Sequence, residues 1–319
     1  MTGPLVLGVD AGGTGSRAVV ADLHGHVHGS ARGEGANPVA HGLDAAVKAV
    51  GDTVRAALAG LDPAAVAAAV IGLAGALVTA PPPELLRAAA GLPVTPHTTS
   101  DLALAHTAGT TRPDGSVLIA GTGAVAALIR DRTPVRLADG HGWLLGDRGS
   151  GQWLGREAVR LALDAVDAGR PLTGAAAAAA AHLTGRSDGE GLRAAVLAAV
   201  YGEPPARLAR LAPLVLDAAA DGDPAAQAVV DRAAGLLADT LETVGPPAAD
   251  GPVVLAGGLL TAGTPLAAAV RAELARRHPG AALRTAGSAA GAAAWLAVRA
   301  VAPGSASAAL HRALVTGGP

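Results

Sequence analysis

Apolar and polar positions divide the chain into short strands and amphipathic helices. Three apolar runs separated by glycine turns predict a three-stranded antiparallel meander at the start. Apolar residues at steps of three and four then predict an amphipathic helix, after which strands and helices alternate. The predicted order is therefore βββαβαβα. The strands are 5–10, 16–23, 27–31, 68–73 and 94–98, and the helices are 43–61, 81–92 and one that begins at Asp101.

A polar, turn-rich break at 109–116 indicates where a second domain begins. Two strands around a glycine turn at 117–129 repeat the design of 5–23, and the rest is mostly helical. We predict a domain at 1–112 and another at 113–319, with the last helix able to pack back on the first. The strands are 117–120, 125–129, 252–256 and 282–285; the helices are 152–168, 174–183, 190–200, 206–220, 224–244 (N-cap Asp223, then Pro224), 265–277, 288–301 and a short one in the tail 303–319.

Composition excludes several classes of function. The 319 residues are 50% apolar and 16% charged, which is typical of about two globular domains. A net charge of -2, with dispersed basic residues and 1% aromatics, argues against nucleic acid as a partner. The absence of cysteine excludes thiolate metal sites, and Lys48 is the only lysine, so a lysine-containing phosphate loop is excluded too. Asp10 interrupts the first apolar run and 64–80 is only weakly apolar, so we expect a cytoplasmic protein without a membrane partner.

Two glycine turns between strands are candidates for phosphate binding. The first contains Gly12, Gly13 and Thr14 and follows Asp10 at the end of a strand; the second contains Gly121, Thr122 and Gly123. Turns without Cβ atoms let backbone N–H groups approach phosphate oxygens, and Asp10 can hold Mg²⁺ through its water shell. Either turn alone could be an ordinary hairpin. The pair predicts a clamp on one phosphate chain.

Two further segments complete a recognisable pattern. Ser100 and Asp101 place a carboxylate at the start of a helix just after a strand, and residues 140–157 read GHGWLLGDRGSGQWLGRE. From about residue 5 to 296 the chain resembles the actin-like ATPase and sugar kinase superfamily, within it the N-acetylglucosamine kinase branch grouped with BadF-type ATPases. The resemblance implies an α/β chain of two actin-like ATPase (ribonuclease H-like) domains with a central cleft for ATP and sugar.

The resemblance also implies roles for single residues. Asp101 would be the catalytic base that accepts the proton of a sugar hydroxyl, although Ser100 or Asp101 could merely cap the helix. Gly257 and Gly258 would approach the adenosine of ATP. Asn37, which precedes Pro38, could contact the sugar or simply form a turn. The implied sugar-binding set is Asn37, Ser100, Asp101, Thr122, Gly140, His141, Asp147 and Gly151.

The sequence departs from this family pattern at three positions. The family has Asn at the position of Ser100, Trp at that of His141 and Glu at that of Arg148. Arg148 either faces solvent or favours an acidic sugar, such as one with a lactyl group. We interpret His24, His26, His28 and His41 as exposed histidines rather than a metal site, because no acidic partner is patterned with them; Trp153 and Trp295 are packing anchors, and Trp143 is open to a sugar-stacking role.

The resulting hypothesis is an ATP-dependent kinase that uses Mg²⁺ to phosphorylate an amino sugar. The resemblance favours the 6-hydroxyl of N-acetylglucosamine, with glucosamine and N-acetylmuramic acid as alternatives, and a homodimer as the assembly. A different class is an actin-like regulator that ATP switches between states. The GDRGSG segment at 146–151 and the lack of a long insertion argue against that class.

Overall fold

The computed structural model describes residues 3–245 and 251–317. Contacts divide the chain into two compact units. The first contains the residues up to Asp114, Ile129–Pro134 and the residues from Ala286 onward. The second contains Gly115–Leu128 and Val135–Thr285. Each unit is built around one five-stranded sheet.

Ten strands and fourteen α-helices lie within the described residues. The strands are β1 Leu5–Ala11, β2 Ser16–Asp22, β3 Val27–Gly33, β4 Val66–Leu73, β5 His97–Ser100, β6 Gly115–Ala120, β7 Ala124–Arg130, β8 Thr133–Asp139, β9 Pro252–Ala256 and β10 Ala282–Thr285. The helices are α1 Pro38–His41, α2 Leu43–Ala57, α3 Pro83–Ala90, α4 Asp101–Gly109, α5 Gly142–Leu145, α6 Gly151–Asp167, α7 Gly174–Thr184, α8 Leu192–Tyr201, α9 Ala212–Ala220, α10 Pro224–Thr243, α11 Gly258–Thr261, α12 Pro265–Arg277, α13 Ala289–Val301 and α14 Ala308–Thr316.

The sheet of the first unit has the order β3-β2-β1-β4-β5. β1 pairs antiparallel with β2 and parallel with β4, which pairs parallel with β5. Alternate residues of β1 face opposite sides, so Leu7 packs in the core with α2 and Val6 in the core with α13 and α14. A Cβ at Gly8 would lie 2.2 Å from Ala290 O, so this glycine permits the close approach of α13. Helices on both faces therefore bury the carboxyl ends of β1, β4 and β5 from the sides.

The sheet of the second unit has the order β10-β9-β6-β7-β8. β6, β9 and β10 are parallel neighbours, with Ile119 opposite Ala256 near the carboxyl ends of β6 and β9. The largest core of this unit contains Trp153 from α6 with Leu237 and Leu241 from α10. This packing fixes the amino end of α6 beside the end of β6.

The predicted elements are confirmed in most places, including Asp223 as the N-cap of α10 and Pro224 in its first turn. Three predictions were wrong. The strand predicted at 94–98 is β5, which begins at His97, and β8 was missed. The helix predicted at 206–220 is a 3-10 segment, Pro205–Leu211, followed by α9. In the tail, α14 is a regular helix capped by Ser307. Every helix in the described part of the chain is too short or too polar to cross a bilayer.

Candidate functional site

In the first unit, two carboxylates lie at the same edge of the sheet. Asp10 is the penultimate residue of β1 and pairs across with Gly72, which pairs with Thr99 one residue before the end of β5. Asp101 follows directly after β5. Two strand spacings separate β1 from β5, which is about 10 Å. The predicted base and the predicted magnesium-binding residue are thus close enough to affect each other's charge.

Asp101 is partly buried at the start of α4. Burial is the largest cause that raises the pKa of Asp101 to about 6, and the negative charge of Asp10 contributes in the same direction. The N–H of Leu102 donates to Asp101 Oδ1 over 2.9 Å and opposes this rise. Ser100 Oγ accepts the N–H of Ala103 and caps the helix, so the capping alternative is confirmed for Ser100. The N–H of Asp101 itself also contacts the carboxylate and opposes the rise in pKa slightly.

The first glycine turn is held by hydrogen bonds at its base and is open at its tip. Gly12 N–H donates to Gly15 O over 3.0 Å, and Ala36 N–H donates to Gly12 O over 2.9 Å. Gly13 and Thr14 are exposed, and a Cβ at Gly13 would meet no atom within 4 Å. Burial raises the pKa of Asp10 at the foot of this turn, while the nearby charge of Arg17 opposes the rise. A cation above this carboxylate would offset the cost of its burial.

The segment with Asn37 contacts the first glycine turn. Asn37 Oδ1 accepts the N–H groups of Val39 and Ala40, so this side chain caps α1, as the turn interpretation expected. At the other end of α1, His41 Nε2 lies 2.8 Å from Gly13 O and can donate to it. Sequence reasoning had grouped His41 with the exposed histidines and missed this contact, which joins residues 28 positions apart.

In the second unit, the second glycine turn is bonded to the start of α6. Gly121 N–H donates to Gly123 O within the turn, and the N–H groups of Gly151 and Gln152 donate to Gly121 O (2.8 Å) and Thr122 O (3.1 Å). Gly257 has a φ of 84°, and a Cβ there would lie 2.2 Å from Ala120 O. The predicted adenosine segment, the glycine turn and the GDRGSG segment therefore come together within this unit.

Asp147 lies against the same turn. Its Oδ1 accepts the N–H of Ala124 over 3.0 Å, and a Cβ at Gly123 would lie 2.8 Å from that oxygen. Burial raises the pKa of Asp147; the Ala124 N–H opposes the rise, and the charge of Asp139 adds to it. The backbone of Asp147 has a φ of 56°, an uncommon conformation for a residue other than glycine. This strained position fixes its carboxylate beside Gly123.

A second aspartate, Asp139, holds this conformation and was missed in the sequence analysis. Its side chain is 4% exposed, and its two oxygens accept the N–H groups of Asp147 (2.7 Å) and Arg148 (2.9 Å). Asp139 itself has a φ of 62° and precedes Gly140, with a φ of 73°. The only sequence signal is the Asp-Gly pair, which is typical of turns.

Comparison with known proteins decides the family. The sequence profile of the BadF/BadG/BcrA/BcrD ATPase family matches residues 7–294. The chain belongs to this family. No curated protein sequence matches the chain.

Solved structures agree with this BadF-type assignment. A protein from Chromobacterium violaceum, provisionally assigned as an N-acetylglucosamine kinase, is 26% identical, with 93% of this chain and 99% of that one covered and a TM-score of 0.70. One from Porphyromonas gingivalis with the same provisional assignment is 23% identical, with coverage of 88% and 93% and a TM-score of 0.67. A glucokinase of the ROK family from Streptomyces griseus, in complex with glucose and AMPPNP, is 21% identical, with coverage of 92% and 99% and a TM-score of 0.58. The predicted two-domain actin-like α/β fold is confirmed.

Two of the three positions where this BadF-type ATPase departs from the expected pattern, His141 and Arg148, lie beside Asp139. Arg148 Nε lies 3.9 Å from Asp139 Oδ2, and His141 Nδ1 lies 4.0 Å from Asp139 Oδ1. Both side chains are exposed, with Arg148 at 49%. The positive charge at 148 therefore already has a carboxylate neighbour. Trp143 is exposed, as a stacking role requires.

Other side chains have structural roles. Trp153 and Trp295 are 3% exposed, which confirms them as packing anchors. His26 and His28 are exposed as expected, but the prediction that they lack an acidic partner was wrong, because Asp22 lies 2.9 and 3.3 Å from their ring nitrogens. Within the described residues, no cluster of three or more His, Asp or Glu side chains could hold a metal ion.

Proposed function

We propose that this BadF-type ATPase is an ATP-dependent kinase that phosphorylates an amino sugar, with the 6-hydroxyl of N-acetylglucosamine as the acceptor. The observation that carries the proposal is Asp101. It lies at the carboxyl edge of the first sheet beside Asp10, it is partly buried at the start of α4, and its pKa is raised to about 6. These are the properties of a general base for a hydroxyl group.

Asp101 supports this role through both its charge and its basicity. With a pKa of about 6, roughly nine-tenths of this carboxyl is ionised at pH 7, so it can accept a proton. It is also a stronger base than an ordinary exposed aspartate. As the sugar oxygen forms its bond to the γ-phosphorus of ATP, the bond between that phosphorus and the oxygen of ADP breaks and ADP leaves. The proton of the sugar hydroxyl passes to the carboxylate of Asp101, whose Oδ1 is held by the N–H of Leu102.

In this proposal, the two glycine turns bind the phosphates through backbone N–H groups. Gly13, Thr14, Thr122 and Gly123 supply those groups, since the only lysine, Lys48, pairs with Asp52 on α2. Asp10 suits Mg²⁺ held through water, because a carboxylate oxygen is a preferred ligand of this ion and the buried charge needs compensation. Bound Mg²⁺ would neutralise charge that develops on the phosphates. Gly257 and Gly258 would face the adenosine.

The proposed sugar contacts are Asp147, Asn37, Thr122 and the segment around Gly140 and His141. Asp147 uses Oδ1 for Ala124 N–H, which leaves Oδ2 for a sugar hydroxyl. The pairing of Arg148 with Asp139 leaves no unbalanced positive charge for a lactyl carboxylate, which favours N-acetylglucosamine over N-acetylmuramic acid. Glucosamine remains an alternative acceptor. The Mg²⁺ requirement, the homodimer and the cytoplasmic location stay predictions.

The test is a panel of hexosamines with ATP and Mg²⁺, read by ADP release and by mass spectrometry of the sugar phosphate. We expect turnover that depends on added N-acetylglucosamine and falls by about 10²- to 10⁴-fold in Asp101→Asn, since a general base contributes this much. Asp44→Asn, an exposed aspartate on α2, is the matched control. ATP hydrolysis that is independent of every sugar would refute the kinase and favour an ATP-switched regulator.

A further inference from the structure

A second cavity lies entirely within the first unit and has no role in the proposed reaction. Its volume is about 580 Å³, and it is enclosed by β5, one face of α4, the turn at 131–134 and the end of α13. Ser100, Ala103 and Thr107 line it from α4 at helical steps of three and four, whereas Asp101 points from a different face. The cavity is large enough for a small metabolite.

Two arginines without a carboxylate partner line this cavity. Arg132 donates to Thr111 O and lies 3.5 Å from Thr107 Oγ1, while Arg299 is exposed. In the part of the chain that the structure describes, neither guanidinium has a carboxylate within 4.0 Å. Both lie over the ring of Trp295, at 5.1 and 5.2 Å from its centroid.

The second unit contains an informative counterpart. Arg232 lies 5.4 Å from the ring centroid of Trp153, and it also lies 3.6 Å from Glu157 Oε2. In the second unit, the arginine that stacks on a tryptophan thus also has a carboxylate partner. Arg132 and Arg299 have no such ion pair among the described residues. Burial, followed by the charge of Arg299, lowers the pKa of Arg132 to about 10, while the charges of Asp131 and Asp114 oppose this shift only in part. The charged side chains that line the cavity are Arg132, Arg299 and Asp131, and His97 is a further titratable group there.

We propose that this cavity binds a small phosphate monoester. Two guanidinium groups suit the doubly charged phosphate, because each presents several N–H donors in a planar fork. Thr98 and Thr133 add hydroxyl groups, and Val70 and Leu296 provide apolar contacts for the carbon skeleton. The dianion supplies a counter-charge in direct contact with both guanidinium groups, whereas Asp131 and Asp114 act on Arg132 from outside ion-pair distance. This site is separate from the two glycine turns and does not depend on the kinase activity.

Calorimetry with glycerol 3-phosphate as the probe tests the proposal on the full chain. We expect saturable binding that weakens at least tenfold in Arg299→Gln, whose exposed side chain can be changed without disturbing the core, and also in Arg132→Lys. Arg232→Gln, the arginine on the other tryptophan, is the matched control and should bind normally. Circular dichroism checks that each variant is folded.

Three results would overturn the proposal. The first is the absence of saturable binding of glycerol 3-phosphate up to about 10 mM, which is about the weakest affinity of interest. The second is an equal affinity of the cavity for glycerol or for lactate, and the third is unchanged binding of glycerol 3-phosphate in Arg299→Gln. Saturation with AMPPNP separates the cavity from the nucleotide turns. Binding that persists with AMPPNP supports the cavity, whereas loss of binding places the phosphate in those turns and refutes the proposal. Because the readout is binding, a failed kinase assay leaves this result interpretable.

Discussion

Asp101→Asn should make the protein more stable while it slows catalysis by about 10²- to 10⁴-fold. The pKa of Asp101 rises from an ordinary value of 3.8 to about 6, mainly because of burial. Each pKa unit corresponds to about 1.36 kcal/mol, so the ionised side chain costs the folded protein about 3 kcal/mol. Asparagine removes the charge, and its Oδ1 can still accept the N–H of Leu102. The gain should therefore reach about 3 kcal/mol at pH 8, as an upper value.

The pH dependence of this gain provides the sharpest check. Well below pH 3.8, the ordinary pKa, both the folded and the unfolded wild type carry a protonated Asp101, so the variant gains nothing there and gains little at pH 4. Between pH 4 and 6 the carboxyl is ionised in the unfolded state but largely protonated in the folded state, which favours unfolding of the wild type. Above pH 6 the variant shows its full gain in free energy of unfolding over the wild type. Urea unfolding of wild type, Asp101→Asn and Asp44→Asn between pH 4 and 8 measures it. A gain of equal size at pH 4 and pH 8, or no gain at pH 8, would refute the reasoning.

Three further predictions follow from the same contacts. The kcat/KM for the sugar should fall about tenfold per pH unit below the pKa of Asp101, about 6, as the base becomes protonated; a flat profile down to pH 5 contradicts this. Asp139→Ala should lower the free energy of unfolding by about 1–3 kcal/mol, because one half-buried and one exposed N–H group lose a charged acceptor, and should raise KM for the sugar; Asp131→Ala, at an exposed position with a positive φ, is the control. Gly13→Ala should leave the melting temperature unchanged yet raise KM for ATP at least tenfold. Gly35→Ala should lower the melting temperature, since a Cβ there would lie 2.3 Å from Gly13 O; equal melting temperatures for the two variants would contradict the assignment of Gly13 to ligand binding and of Gly35 to packing.

Strands buried on both faces could be predicted, and an exposed edge strand could not. β1 reads LVLGVDA, and its continuous apolar run is typical of a strand covered by helices on two sides. β8 reads TPVRLAD, lies at the sheet edge and leaves most of its side chains exposed, so burial imposes no apolar period on it. Pro134 fits an edge strand but weakens the pattern further. β8 was therefore the least predictable strand, whereas the edge strands β3 and β10 were predicted.

The residues of the candidate site also fall into two groups, those that the sequence indicates and those that it does not. Asp10, Asp101 and the glycine turns are adjacent to strand ends, so local sequence order indicates them. Asp139 acts through N–H groups eight and nine residues further along, and His41 through a carbonyl 28 residues away. Those contacts depend on the direction that the chain takes after residues with a positive φ and after short helices. The spacing of apolar residues does not indicate such changes of direction. Residues that position the site were thus missed, while residues that would touch ligands were predicted.

The glycines of the site show why ligand-contacting positions are easier to recognise. A Cβ would clash at Gly123 with Asp147 and at Gly257 with Ala120 O, so packing alone requires glycine there. Gly13, Gly121 and Gly258 have no positive φ and would meet no atom within 4 Å, so neither backbone conformation nor packing within the protein requires them. A glycine without an internal reason, repeated at the ends of three strands, is best explained by a ligand that approaches the backbone closely. The phosphate-binding proposal therefore rests on the glycines that the fold itself does not need.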